Sequence, residues 1–248
     1  MSKKIYTKTG DLGKTSLFNG TRVSKNNDRI NLLGILDELN SLIGFLIFKI
    51  SANSLLKDFN VCMNNKNNKT DEEKFLQKIQ NFIFEINSEI ATFGDLNLFS
   101  STQNKKKMDQ ENKEQNNKKI KLQKKFLSNL SSFTKEIEQE IDRMTEKLPT
   151  LTNFILPGGS EISAICHIVR TNVRKTEREF VNFLEKLSFD MFGTKEDKLK
   201  MIEKINEQNF FYKTTLPFLN RLSDYFFTLA RWKNFEQNIN DIIWKREN

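Results

Sequence analysis

Residues 154–178 read FILPGGSEISAICHIVRTNVRKTER, a tight turn followed by a strongly two-sided helix. Pro157, Gly158 and Gly159 turn the chain, Ser160 stands where an N-cap belongs, and Glu161 puts an acid in the first turn, where the helix dipole favours it. The helix is expected to run to about Leu187. Ile162, Cys166, Val169, Val173, Phe180 and Leu184 fall on one stripe; His167, Arg170, Arg174, Glu177 and Arg178 fall on the adjoining flank. One side packs and the other carries charge, which taken alone is what any solvated helix shows.

The same periodicity recurs on either side. Asp28 to Lys49 carries an apolar stripe of Leu32, Ile35, Leu36, Leu39, Leu42, Ile43 and Leu46. On another face Gly34, Asp37, Ser41 and Gly44 are small residues that let a backbone or ligand approach, with Asp37 the one charge among them. Residues 50–72 read as a loop. A second helix starts at Asp71 and closes near Gly94, and a third, with Phe126, Leu130, Phe133, Ile137 and Ile141 buried, runs to about Leu148 and is ended by Pro149. A last helix has Pro217 in its first turn, with Leu219, Leu222, Phe226 and Leu229 on one face and Asn220, Asp224, Thr228 and Arg231 on another. With three prolines and nine glycines in 248 residues, the expectation is an all-α protein with residues 1–248 forming one domain.

Charge narrows the classes. The net charge is +8, but residues 101–125 hold nine lysines against three acids, which leaves the rest at only +2. That segment is a Lys/Asn/Gln run without interleaved aromatics, so it reads as a flexible insertion at about 97–120 and not as a nucleic-acid face. A second insertion is expected at about 189–212. No stretch approaches the roughly 18 uncharged apolar residues of a membrane span. Hydrophobic residues make up 37%, low enough to imply unpacked insertions or a core completed by oligomerisation. Two cysteines, Cys62 and Cys166, and a single histidine, His167, form no disulfide framework and no multi-histidine metal site, so no metal-ligating set is assigned. The chain reads as cytoplasmic, with no presequence ahead of the first motif; a mitochondrial location stays open.

At the N-terminus, IYTKTGDLGKTS (5–16) ends like a phosphate-binding P-loop, but GxxxxGK[ST] requires glycine at position 8, where Lys8 stands, and no buried strand precedes it. What remains is glycine-loosened backbone at Gly10 and Gly13 beside Thr7, Lys8, Thr9, Lys14, Thr15 and Ser16, cationic and hydroxyl groups suited to phosphate oxygens.

Taken together, TKTGDLGKTS (7–16), FILPGGS (154–160), RTNVRKTER (170–178) and LNRLSDYFFTLAR (219–231) resemble, in order, the PduO-type ATP:cob(I)alamin adenosyltransferases, and the likeness covers most of 4–49, 73–96 and 126–235. The resemblance implies a five-helix up-and-down bundle, a homotrimer with active sites between subunits, and transfer of the 5′-deoxyadenosyl group of ATP to reduced cobalamin, with Mg²⁺ assisting. It implies that Thr7, Lys8, Thr9, Gly10, Thr15, Ser16 and Lys25 wrap ATP with Arg174, Lys175, Thr176, Glu177, Arg178 and Asn220. Asp37 would pair with Arg170 of a neighbouring subunit, and Phe154 would occupy the lower face of cobalamin. Lys175 and Asn27 depart from the family, which commonly has arginine and aspartate there. A cobalamin reductase and a cobalamin-dependent acceptor enzyme are implied as partners, without nucleic acid or membrane. A non-catalytic cobalamin escort with the same fold is the alternative.

Overall fold

The computed structural model describes residues 4–6, 8–18, 20–57, 69–92, 110–192 and 210–246. A short antiparallel hairpin comes first, β1 (Lys14–Ser16) and β2 (Arg22–Ser24), in the register Lys14↔Ser24, Thr15↔Val23, Ser16↔Arg22. The all-α expectation did not contain this hairpin. Gly13 and Gly20, at φ +74° and +83°, supply the left-handed turns on which it depends.

Five helices follow among the described residues: α1 (Asp28–Lys57), α2 (Asp71–Thr92), α3 (Gln110–Thr145), α4 (Glu161–Phe192) and α5 (Phe210–Phe235). Asn27 caps α1, its Oδ1 accepting from the Arg29 amide at 3.0 Å. An asparagine does this about as well as an aspartate would. Thr70 and Glu73 form a reciprocal capping box on α2, the Thr70 amide reaching Glu73 Oε2 at 2.9 Å and the Glu73 amide reaching Thr70 Oγ1 at 3.2 Å.

Cross-helix contacts fix the directions. Asp28, Glu38 and Lys49 of α1 pair in turn with Lys186, Lys175 and Glu161 of α4, so the two run antiparallel. Ser51 of α1 meets Glu73 of α2 while Asn40 meets Gln80, again antiparallel. Lys78 and Glu89 of α2 meet Glu136 and Gln123 of α3 in the same sense. Glu177 of α4 meets Asn220 of α5, and Ser160 meets Asn234. Phe133 and Arg143 of α3 meet Phe218 and Trp232 of α5, a parallel pair. These are the directions of an up-and-down bundle. At its centre Phe82 stacks on Phe133 with ring centroids 4.7 Å apart, joined by Phe75, Phe126 and Phe218; the rings fill the gap between α2 and α3.

Helix α1 is long and apolar enough by composition to cross a membrane, over Asp28–Asn53. Its Leu32, Leu36, Leu39, Ile43, Leu46 and Ile50 are instead buried in the bundle, each worth about 2 kcal/mol of transfer free energy. Three boundaries differ from expectation. Helix α1 continues to Lys57, with Ile50 still packed in the core, so residues 50–57 of the loop read at 50–72 are helical. Residues 110–125 belong to α3, so that part of the lysine-rich run is helical. Pro217 is the eighth residue of α5, not its first turn, because Phe211 and Tyr212 bury against Phe180 and extend the helix backwards. The ring of Pro217 faces solvent, where a distorted turn is cheapest. The proposed insertions at 97–120 and 189–212 fall largely outside the described residues.

Candidate functional site between the Phe154 turn and helix α4

The turn before α4 is held from two sides. Ser160 caps the helix, Oγ accepting from the Ser163 amide at 3.2 Å, and Ser163 Oγ donates to the Gly158 carbonyl at 2.9 Å. From the end of α5, Asn234 accepts from the Ser160 amide at 2.9 Å and donates to the Gly158 carbonyl at 3.1 Å. Gly159 sits at φ +105° against that carboxamide. Upstream, the Trp244 amide donates to the Phe154 carbonyl and the Leu156 amide to the Ile242 carbonyl, both at 2.8 Å. This pairs the C-terminal tail with the turn through Ile155↔Ile243. Buried Arg231 anchors that tail, donating to Asp241 Oδ2 and to the Pro149 carbonyl, each at 2.7 Å. The backbone of Phe154 is therefore fixed while its side chain is 81% exposed. Neither Asn234 nor the tail was singled out from sequence, and no local pattern marks them.

Phe154 stands at the edge of a cleft of about 360 Å³ whose walls include Leu151, His167, Arg170, Arg174, Asp224 and Phe227. Arg170 and Arg174, one turn apart on α4, both line it. Burial, then the neighbouring Arg174 charge, pull the Arg170 pKa below its ordinary value, so an anion entering here would relieve two crowded guanidiniums. Arg170 Nε donates to His167 Nδ1 at 3.3 Å. Burial and the Arg170 charge lower the His167 pKa to about 4 against the opposing pull of Asp241, so the imidazole is neutral at ordinary pH.

The remaining α4 residues diverge. Lys175 turns to α1 and pairs with Glu38 at 3.0 Å. Thr176 is buried, its hydroxyl donating to the Asn172 carbonyl at 2.9 Å. Glu177 accepts from Asn220 Nδ2 at 3.2 Å, Arg221 donates to Asn220 Oδ1 at 2.7 Å, and Arg178 donates to the Arg174 carbonyl at 3.1 Å. Asp37 is exposed on α1 with no hydrogen-bond or ion-pair partner among the described residues.

The N-terminal segment forms its own unit. The Gly13 amide meets the Gly10 carbonyl at 3.2 Å, and the Lys25 amide meets the Gly13 carbonyl at 2.9 Å. The Lys25 side chain lies over Gly10, where an added Cβ would sit 3.5 Å from its Nζ. Arg22 ties the loop together, donating to the Thr9 carbonyl and to Ser16 Oγ at 3.3 Å. Arg22 too was missed from sequence. Lys8 adopts a left-handed φ of +56°, uncommon for a side-chain-bearing residue. Thr15 is half-buried, and Lys8, Thr9 and Ser16 are exposed; Thr7 lies outside the described residues. Among the described residues no ion pair joins this segment to α4.

The sequence pattern of the family described as cobalamin adenosyltransferase matches residues 5–233. The chain belongs to the cobalamin adenosyltransferases. It is 32% identical over 243 residues to a corrinoid adenosyltransferase of Bacillus subtilis, covering 98% of this chain and 93% of that protein. Against human corrinoid adenosyltransferase MMAB it is 31% identical over 98% of this chain and 74% of that one. Among solved structures it is similar to a PduO-type ATP:corrinoid adenosyltransferase variant from Lactobacillus reuteri complexed with cobalamin and ATP, with TM-score 0.61, 26% identity, and coverage of 98% of this chain and all of that one. The family expectation drawn from the four motifs holds: this is an adenosyltransferase whose acceptor is a corrinoid, built on a mostly helical bundle.

Proposed function

We propose that the cobalt(I) of reduced cobalamin attacks C5′ of ATP in a site assembled between protomers of a homotrimer. The Co–C5′ bond forms as the C5′–O bond breaks, and the electron pair of that bond leaves with inorganic triphosphate. Cobalt(I) is itself the nucleophile, so the protein supplies alignment and charge and needs no general base. The observation that carries this reading is the cleft where Phe154 meets Arg170 and Arg174. An apolar ring on fixed backbone suits the lower face of a corrin stripped of its axial ligand, and the Arg174 guanidinium suits departing triphosphate while Arg170 beside it is left for the Asp37 carboxylate.

Thr7, Lys8, Thr9, Gly10, Thr15, Ser16 and Lys25 of one protomer grip the nucleotide opposite Arg174 of its neighbour, with Asn220 and Glu177 beside it. Asp37 pairs with Arg170 across the interface. Support comes from the Asp37 carboxylate, which has no partner among the described residues, and from Phe45 and Phe48 of α1 with Ile168 of α4, large apolar side chains left exposed on these two helices. The described residues contain no cluster of three or more His, Cys, Asp or Glu side chains, so Mg²⁺ would arrive on the phosphate oxygens of ATP. A reductase supplies the electron for cobalt(I), an acceptor enzyme takes the product, and the reaction runs in the cytoplasm.

Incubating the protein with ATP and chemically reduced cobalamin, and following conversion to the light-sensitive adenosyl form, tests the proposal. Turnover supports it; binding of both ligands without conversion would replace it with the escort alternative.

A further inference from the structure

We propose that His167 is a positioning residue for Arg170: its neutral Nδ1 takes the Arg170 Nε–H, which turns the two terminal Nη groups of the guanidinium into the cleft beside Phe154. A guanidinium has five N–H donors in one plane. Fixing Nε to a partner on the same helix removes rotation about the last side-chain bond and leaves the outer fork free for an anion. Among the described residues neither Nη group of Arg170 has a partner, and the His167–Arg170 bond is the one hydrogen bond that orients it.

The imidazole is itself held. It is 4% exposed, and the Phe227 ring of α5 meets it edge-on at 6.1 Å. Accepting at Nδ1 requires the proton on Nε2. The charged groups facing it are Arg170 and Arg174 from α4, Asp224 from α5 across the cleft and Asp241 from the tail. Desolvation and then the Arg170 charge keep it unprotonated, so the bond persists at working pH. A protonated ring would lose the acceptor and set a third positive charge beside two guanidiniums. The inference rests on the role given to Arg170 above.

Because the chain has one histidine, ¹⁵N-histidine labelling gives an unambiguous imidazole signal. The full-length protein should display an unprotonated Nδ1 and protonated Nε2 from pH 8 down to about 5. Arg170→Ala should lose that tautomer preference and titrate closer to the ordinary histidine value. In turnover, His167→Leu should lower kcat/KM by about 10-fold or more, the worth of one hydrogen bond to a charged group, while His167→Asn, whose Oδ1 falls near the position of Nδ1, recovers most of it. A protonated Nδ1 in the wild type, or equal losses in the Leu and Asn variants, overturns the inference. Should His167→Leu fail to fold, the tautomer measurement still decides. Wild-type kcat/KM in Arg170→Ala would instead remove the role of Arg170 itself.

Discussion

The Asn234 carboxamide fills the space that a side chain at Gly159 would need: a Cβ there would lie 2.6 Å from Asn234 Cγ. With φ at +105°, Gly159→Ala adds backbone strain to a collision, and a loss of about 3 kcal/mol is expected. Asn234→Ala leaves the Ser160 amide and the Gly158 carbonyl without the partner that bridges them, at a cost of about 2 kcal/mol. Urea unfolding of each variant checks both values. The double variant should lose less than the sum, since removing the carboxamide removes the clash.

That clamp marks where local sequence stops being informative. The Ser160 cap and the stripe from Ile162 to Leu184 depend on residues a few positions apart, so spacing alone located them. Asn234 lies 74 residues from Ser160, and the tail at 242–244 reaches Phe154 through backbone atoms that carry no residue signature. Arg22 acts through a carbonyl in the same way. Thr176 was placed beside ATP only through the resemblance carried by the run 170–178; successive helical residues turn by about 100°, and its side chain lies in the core, bonded to the Asn172 carbonyl. Pro217 misled for a related reason: a proline preference for first turns is weaker than the burial of Phe211 and Tyr212 upstream.

Arg174 and Lys175 are neighbours with separate destinations, one in the cleft and the other on Glu38. Arg174→Ala should raise KM for ATP by about 10- to 100-fold, as expected for charge-assisted bonds to phosphate. Lys175→Ala should change it by less than about 3-fold and cost under about 1 kcal/mol of stability, because its pair with Glu38 is half exposed. Steady-state kinetics with ATP varied decide it; a large KM effect for Lys175→Ala would put that ammonium back at the triphosphate.

The lysine-rich segment is expected to be dispensable, provided the cut respects α3. Deleting 97–109, read from sequence as an insertion, should leave kcat/KM within about 2-fold, since the length of an insertion costs little. Deleting 101–125 should be destabilising, because Gln123 of α3 donates to Glu89 of α2 at 2.8 Å and Phe126 is already in the core. Turnover and thermal unfolding of the two deletions separate these outcomes. Salt-sensitive binding to nucleic acid by the wild type, lost on deleting 97–109, would revive the interaction role that composition argued against.

Phe154 offers the sharpest separation of folding from chemistry. Its side chain is exposed, so Phe154→Ala removes almost no buried surface and should unfold within about 0.5 kcal/mol of wild type. Its carbonyl bond to the Trp244 amide survives the substitution, so the turn stays in place. What disappears is the apolar face proposed above to exclude a lower ligand from cobalt. Making cobalt(I) from cobalt(II) is the step that needs that exclusion, whereas pre-reduced cobalt(I) has already passed it. Turnover coupled to a reductase should therefore fall by about 100-fold or more, a barrier change near 3 kcal/mol, while turnover with chemically reduced cobalamin falls far less. The absorption of bound cobalt(II) should revert from the four-coordinate to the five-coordinate form. Equal losses in the two assays, with no spectral change, would leave the ring as an ordinary wall of the cleft.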